Sequence, residues 1–337
     1  MATNYINTVV NTGVLAGGTA VQLTNNVRAV YSKEIEFYAM PIMKFLQFAK
    51  IKTELGVQPG LTIQMMTYNN LSMGGALTEG VRMNTQALSS SMKSITVAEQ
   101  GNAIAVSELT LRTSFTDVMA DATTLLGRDM AITLDCQLRN VAVAGGTTGP
   151  YTTSTIFGRA NVSSAKISAI GSIVANSNIL SVATIKDAVE ILATNNAPKF
   201  QASFYVCFAH PHQSRTLRDD PAWIEASKYG AVDQLFTGEI GRIDDVRFIE
   251  TTLMPNGAAA TSDPGYNAAF AGAGTNEANV YQAVIFGEDY YGYAVGLPVE
   301  LRDNGVIDFG REHQLGWYAI WGSGILHAER AVIIETA

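Results

Sequence analysis

Charged residues are scarce in this sequence. Asp, Glu, Lys and Arg make up 15% of its 337 residues, against roughly 25% in a typical soluble chain. A monomer with so few charges would expose a neutral, weakly hydrated surface, and burial against other chains is the simplest remedy. The sequence therefore predicts an assembly. What charge there is leans acidic, 30 Asp and Glu against 22 Lys and Arg, for a net of -8. Readers of nucleic acid carry clustered Lys and Arg, and no basic run occurs here. Long apolar runs are missing too. A helix needs about 18 consecutive apolar residues to span a bilayer, and no such stretch exists. The opening MATNYINTVVNTG lacks a basic stretch followed by an apolar core, so no secretory signal is expected. Cysteine is nearly absent. Cys136 and Cys207 sit far apart in apolar contexts, which predicts two buried thiols and a reducing compartment of synthesis rather than a disulfide. Apolar residues themselves are plentiful at 47%, enough to exclude disorder throughout. The length is a prior for two or three domains.

The organisation emerges along the chain. Residues 1–26, rich in Asn, Thr and Gly, read as an extended arm. Val27, Val30, Tyr31, Phe37 and Tyr38 recur near helical spacing, and a second segment restarts at Pro41 with Ile42, Phe45, Leu46 and Ala49 on one stripe. The first 50 residues are too few for a core and need a surface to lie on. Leu61, Ile63 and Met65 alternate as a strand does, and a second strand is expected from Ile95, continuing through Ile104 and Val106. Between them lie about 26 residues rich in Gly, Ser, Asn and Met, longer than a compact domain's usual loop. A long two-stranded hairpin with a mobile tip fits. Such ribbons are marginal in water by themselves, so its partner is expected to be another subunit.

The clearest helix is expected to start at Ser114, with Ser-Phe-Thr-Asp resembling a capping box. Phe115, Val118, Met119, Ala122, Leu126, Met130, Leu134, Leu138 and Val141 hold one face, giving a spine roughly 42 Å long that ends at Gly145-Gly146. Residues 147–183 read as loops and short strands. Thr184 is expected to cap a second helix carrying Ile185, Ala188, Val189 and Leu192, stopped by Pro198. SFYVCFA at 203–209 is apolar on both faces and reads as a central strand. A short helix is expected from Pro221, strands at 246–251 and 281–286, and an exposed low-complexity loop at 255–279. The tail from Leu315 to Ile334 reads as two strands that turn near Gly322-Ser323-Gly324.

No constellation makes a convincing catalytic centre. His210-Pro211-His212 is the best metal candidate, two His on one face of a strand, but it needs further ligands. Asp219, Asp220 and His313 could be recruited only by assumption, and a turn ending the 203–209 strand explains the same residues. The glycine-rich 145–150 lacks the preceding strand and the Gly-Lys-Ser/Thr ending of a phosphate cradle, and Gly238–Arg242 lacks a capped helix after it, so both read as turns or subunit contacts. No G-x-S-x-G elbow occurs, and neither Cys has an electropositive context. Glu288-Asp289 are adjacent, so in a strand their side chains diverge. Arg215, Arg218, Arg242, Arg247, Arg302 and Arg311 lie near Asp219, Asp220, Asp244, Asp245, Asp303 and Glu312. They read either as intersubunit ion pairs or as ordinary surface pairs.

The order of parts — arm, long hairpin, spine helix, inserted second domain, C-terminal strands returning to the spine — resembles the major capsid proteins of tailed bacteriophages. The stretch from Gly238 to Thr251 (GEIGRIDDVRFIET), Asp219-Asp220-Pro221-Ala222-Trp223, and Phe286–Gly292 (FGEDYYG) are similar to the coat proteins of N-four-like coliphages. The resemblance implies an α+β fold with an N-terminal arm at 1–55 and an extended hairpin loop at 56–106. It implies a peripheral domain with the spine helix at 107–183 and 301–337, and an axial domain at 184–300 with an insertion loop at 255–279. It further implies a structural protein with no catalytic, cofactor or metal site. Such a chain self-assembles into pentamers and hexamers of an icosahedral head enclosing double-stranded DNA without sequence-specific binding. The implied partners are further copies, a portal, and scaffold or decoration proteins, with no membrane. The implied location is the virion, assembled in the host cytoplasm. The alternatives are a tail-tube or decoration subunit, and a metal-dependent hydrolase using His210 and His212.

Overall fold

The structure is a computed structural model. It describes residues 43–53, 60–68, 71–76, 79–80, 82–83, 85–114, 117–144, 155–157, 159–160, 173–174, 178–221, 223, 239–257, 265–273 and 279–337. A short strand β1 (Lys50–Lys52) precedes β2 (Thr62–Tyr68) and β3 (Ser90–Thr96). β4 (Ala98–Ser107) leads into helices α1 (Glu108–Thr113) and α2 (Val118–Ala144). Three short strands follow, β5 (Thr155–Phe157), β6 (Arg159–Ala160) and β7 (Asn178–Ile179). Next come α3 (Val182–Thr194), β8 (Tyr205–Ala209), α4 (Pro211–Arg218), β9 (Glu239–Ile243), β10 (Val246–Glu250) and β11 (Tyr281–Phe286). The chain closes with β12 (Tyr291–Ile307), β13 (Glu312–Ile325) and β14 (Ala331–Thr336).

Two sheets take ten of these strands, while β2-β3 and β6-β7 pair as separate two-stranded ribbons. The larger has order β5-β14-β11-β8-β10-β9, and the other has order β1-β12-β13-β4. SFYVCFA is central, as expected: every residue of β8 is buried between β11 and β10. Side chains alternate across a strand, so this strand feeds two cores. Val206 and Phe208, with Val284 and Phe286 of β11, face the core that also holds Leu126, Met130, Leu134 and Leu138 of α2. Tyr205, Cys207 and Ala209, with Ala283 and Ile285, face a second core against Ile185, Ala188 and Leu192 of α3. Cys207 is fully buried, whereas Cys136 on α2 is only partly so, and both are free thiols.

The long helix packs along β13 through a matched repeat. Trp317 Nε1 donates to Asp129 Oδ2 at 3.0 Å, and Trp321 Nε1 donates to Gln137 Oε1 at 2.7 Å. Four residues of strand and eight of helix both advance about 12–13 Å, so one side chain per two helical turns meets one tryptophan. The same two helix residues reach β4. Asn102 Nδ2 donates to Asp129 at 3.0 Å, and Gln137 Nε2 donates to Gln100 at 3.1 Å.

Several boundaries differ from expectation. Ser114 ends α1 rather than starting α2. The cap of the long helix is Asp117, whose Oδ1 accepts from the N–H groups of Met119 and Ala120. On α3 the cap is Ser181, which accepts from Thr184 N–H, while Asp220 Oδ2 accepts from Val182 N–H at 3.0 Å. Thr184 is itself buried on the core face. The Pro41 segment is described only from Met43, and holds a single 3₁₀ turn at Leu46–Phe48 before β1. The strand expected from Ile95 through Val106 is two strands, broken at Val97. Gly322-Ser323-Gly324 lies inside β13, and the break comes later, between Ile325 and Ala331. The 255–279 loop is anchored at its foot: Pro255 and Asn256 are buried, and Asn256 N–H donates to Gly265 O at 2.9 Å. The arm and helical readings of residues 1–42, the glycine-rich 145–150, and Ile224 lie outside the described residues.

Candidate functional site

Among the described residues the hairpin of β2 and β3 joins the core of its own chain only at its root. Its strands pair antiparallel from Thr62↔Thr96 to Tyr68↔Ser90, so the connection between them spans residues 69–89. Period-2 alternation puts Ile63 and Ile95, directly opposite each other, on the face toward the body. There they join Val97, Ala294 and Leu326 in a small core with Met65 and Ile320 at its edge.

This root needs glycine beneath it. Gly292 and Gly324 are register partners in β12 and β13, and Gly322 pairs with Ala294. A Cβ on Gly322 would clash with the Thr96 carbonyl, one on Gly324 would meet Ile95 Cγ1 at 3.1 Å, and one on Gly292 would meet Ile95 Cδ1 at 3.0 Å. The three glycines form a slot in the sheet, and Ile95 is the knob within it. Their conformational freedom matters less here than the missing side chain.

Beyond the root the ribbon is apolar and bare. Leu61, Met66, Tyr68, Leu71, Met73, Met83, Leu88 and Met92 are all exposed, Met73 to 95%. Met66 and Met92 form a cross-strand pair on the outward face. Charge is nearly absent, with only Glu79 and Arg82 between Leu61 and Met92. Gln86 closes the tip by accepting from Ser72 N–H at 2.9 Å and donating to Ser72 O at 3.2 Å. An exposed apolar surface of this extent marks an interaction site.

A second feature ties Lys44 and Phe45 to the long helix. The N–H groups of Lys44 and Phe45 donate to Asp135 Oδ1 on α2 at 3.1 and 2.9 Å. Tyr291 Oη donates to Phe45 O at 2.6 Å, and the Phe45 ring stacks on Phe208 at 4.1 Å. Burial pushes the Asp135 carboxyl up to about 6, although the two backbone donors and then the Lys44 and Arg139 charges pull the other way. The segment after residue 42 is thus clamped to the long helix.

The metal candidates do not converge. His210 is the N-cap of α4, its Nδ1 accepting from His212 N–H at 3.1 Å, and Gln213 completes a capping box. The pair therefore opens a helix rather than sharing a strand face. His212 stacks on Tyr281 with ring centroids 4.4 Å apart, and burial followed by the Arg215 charge lowers its pKa. Asp220 caps α3, while His313 stands 3.8 Å from Glu108 near the β12–β13 turn. Among the described residues no group of three or more His, Cys, Asp or Glu is placed to hold a metal. Glu239–Ile243 is a strand paired with β10 and opens no helix. Glu288 and Asp289 lie in a turn, where Asp289 pairs with Lys50 at 2.8 Å.

The arginine pairs differ from the acids named from sequence: one partner is distant, and two are other close neighbours. Arg218 pairs with Glu250 at 3.0 Å, Arg302 with Glu300 at 3.4 Å, and Arg311 with Asp308 at 3.4 Å. Arg247 lies over the Phe204 ring at 3.9 Å, and Arg302 also over Tyr318 at 4.0 Å. The glycine slot and Asp135 were missed from sequence. The first looks like a turn, and the second sits on the buried face of an amphipathic helix with nothing local to single it out.

Comparison with known proteins adds a family match. A family model described as "Phage capsid protein" matches residues 91–333. No curated protein matches the chain. Among solved structures, the Cyanophage Pam1 capsid asymmetric unit is similar with a TM-score of 0.69 at 16% identity, covering 100% of this chain and 99% of that one. The capsid of Ralstonia phage GP4 is similar with a TM-score of 0.61 at 15% identity, covering 98% of each chain. The acidic stable capsid structure of Helicobacter pylori bacteriophage KHP30 is similar with a TM-score of 0.60 at 14% identity, covering 99% of each. At such identities these likenesses speak to fold alone.

Proposed function

Since this chain belongs to the phage capsid protein family, we propose that its hairpin is the principal clasp by which one copy of a major capsid protein holds the next. The chain is a structural virion component with the fold of phage capsids, and it self-associates into the shell of an icosahedral head. The observation that carries the clasp is the bare apolar ribbon rooted in the glycine slot. A side that none of the described residues covers is explained by a neighbour that does.

The finer reading follows from that premise. Copies gather as pentamers and hexamers, and the same hairpin serves both settings by small changes of angle. The parts divide into an arm at 1–55, the hairpin at 56–106, a peripheral domain at 107–183 and 301–337, and an axial domain at 184–300, with β14 adding to the six-stranded sheet. A portal and scaffold or decoration proteins complete the head, and assembly takes place in the host cytoplasm. The interior encloses double-stranded DNA without gripping it, in keeping with a net charge of -8 and the salt-dependent adhesion a Lys- and Arg-rich lining would cause. Many weak contacts repeated around a closed shell suffice for stability.

The test is electron microscopy of the purified chain across a salt series, alone and with the other head proteins of its phage. Closed shells, or rings of five and six, are the expected result. Open filaments would point to a tail tube instead, since a heterologous contact that fails to close grows without limit.

A further inference from the structure

The turn joining β12 to β13 presents an aromatic ring to solvent on a backbone that disfavours it. Asp308, Phe309 and Gly310 have φ of 50°, 54° and 94°. Glycine adopts this left-handed region freely, whereas a bulky residue there is an outlier. Phe309 is also 105% exposed, so its ring repays nothing through contacts in its own chain. The turn is otherwise well made: Arg311 N–H donates to the carbonyls of Ile307 and Asp308 at 3.2 and 3.1 Å. Glycine at 309 would make the same turn with less strain, so the folding of a single chain does not account for phenylalanine.

The surroundings limit what the ring meets. Glu108 N–H donates to Arg311 O at 2.7 Å, which brings α1 and its exposed Leu109 to the same end of the molecule. The charges at this end are matched locally: Arg311 with Asp308 at 3.4 Å, Arg112 with Glu108 at 2.7 Å, and His313 with Glu108 at 3.8 Å. With Glu312 beside them the acids outnumber the arginines by one, three to two, which disfavours a nucleic acid and is too small an excess to select a strongly charged partner. An apolar anchor flanked by nearly balanced polar groups is the pattern of a protein–protein contact.

We propose that Phe309 is an anchor that inserts into a second copy of this chain in the assembled shell. The proposal rests on the capsid reading. The occupant is a second copy because the chain self-associates, and because this tip continues the sheet in which the hairpin is seated. The hairpin root lies at Gly292 and Gly324, the other end of the β12–β13 pair. About fifteen residues of strand separate the two, roughly 50 Å. The two projections therefore serve different neighbours.

Three chains decide it: wild type, Phe309→Gly and Phe309→Leu. For each, the thermal midpoint of dissociated subunits and the threshold concentration for shell formation are measured, the latter by light scattering and electron microscopy, with any required head proteins present. Phe309→Gly is expected to keep or raise the subunit midpoint, because the turn loses its strain, while raising the threshold about tenfold or more. Phe309→Leu is expected to restore most of the assembly and none of the midpoint gain. An unchanged threshold in Phe309→Gly overturns the proposal while leaving the capsid reading standing. So does a fall in midpoint that parallels the assembly defect, since the residue would then be structural. A wild-type chain that forms no shell at all overturns the capsid reading, and the proposal with it.

Discussion

Two buried carboxylates show how much a single residue's partners decide. Asp135 and Glu335 are both shielded from water, yet they differ in what they accept. Asp135 takes two backbone N–H donors on one oxygen. Among the described residues Glu335 accepts from Gln282 Nε2 alone, at 2.8 Å, and its other oxygen, Gln282 Oε1 and the second oxygen of Asp135 are buried acceptors that meet no donor there. Desolvation pushes the Glu335 carboxyl up to about 7, with the Gln282 bond opposing it, and Asp135 only to about 6. A raised folded-state pKa means that the folded chain holds its proton longer than the unfolded chain does. The stability Glu335 contributes is complete below about pH 4.5 and is lost as pH rises through about 7. At about 1.4 kcal/mol per unit the loss is on the order of 3 kcal/mol. Glu335→Gln supplies a donor without a charge and is expected to remove this dependence. Urea midpoints at pH 5 and pH 8 check it: the variant should gain on wild type at pH 8 and lose that advantage at pH 5. A parallel pH dependence in both chains would contradict the assignment.

At the scale of elements, the hairpin and its seat are separable. The seat is steric, so Gly322→Ala forces a methyl group against the Thr96 carbonyl. Overpacking of this kind typically costs about 1–3 kcal/mol. Here the strain is local to the root, and the ribbon is expected to tilt or lift before the body unfolds. Shells of aberrant size, or none, should form from subunits that keep native-like circular dichroism and melt only a few degrees lower. The complementary experiment replaces residues 69–89 by a two-residue Asn-Gly turn, which matches the register of Tyr68 and Ser90. The subunit should remain folded, because Ile63, Ile95 and Val97 still fill the root, while shell formation is lost. Normal shells from that variant would remove the tip from the assembly mechanism.

At the scale of the whole molecule, scarcity of charge becomes an assembly property. The exposed ribbon is apolar, and the ion pairs near the Phe309 tip are satisfied within one chain. Salt screens contacts between charges but leaves apolar burial largely intact. The threshold for shell formation is therefore expected to change less than about threefold between roughly 0.1 and 0.5 M sodium chloride, and to fall in ammonium sulfate, which favours burial. Light scattering against protein concentration measures it. A threshold that climbs steeply with sodium chloride would instead place intersubunit ion pairs at the centre of the contact.

Much of the architecture was legible in the residues because local periodicity follows from geometry. The face through Leu126, Met130, Leu134 and Leu138 has the helical repeat, and all four are buried in α2. The apolar run through Phe208 could only be a strand covered on both sides, and it is. The low charge anticipated a chain that is incomplete without copies of itself. What depends on a distant partner was not legible. Gly322-Ser323-Gly324 has the composition of a turn, and only the passage of Thr96 and Ile95 above it makes it a strand with a slot. Ser114 has the signature of a helix cap, but α1 before it had no periodicity strong enough to announce itself. His210 and His212 were the best metal candidates in the sequence beside the reading as a strand-end turn, and the structure has the backbone enter a helix there and spends one imidazole on capping it. Local sequence determines which conformations and faces are available, because those follow from bonds and side-chain size. Tertiary structure decides which face meets which, because contacts between residues hundreds of positions apart leave no repeat in the chain.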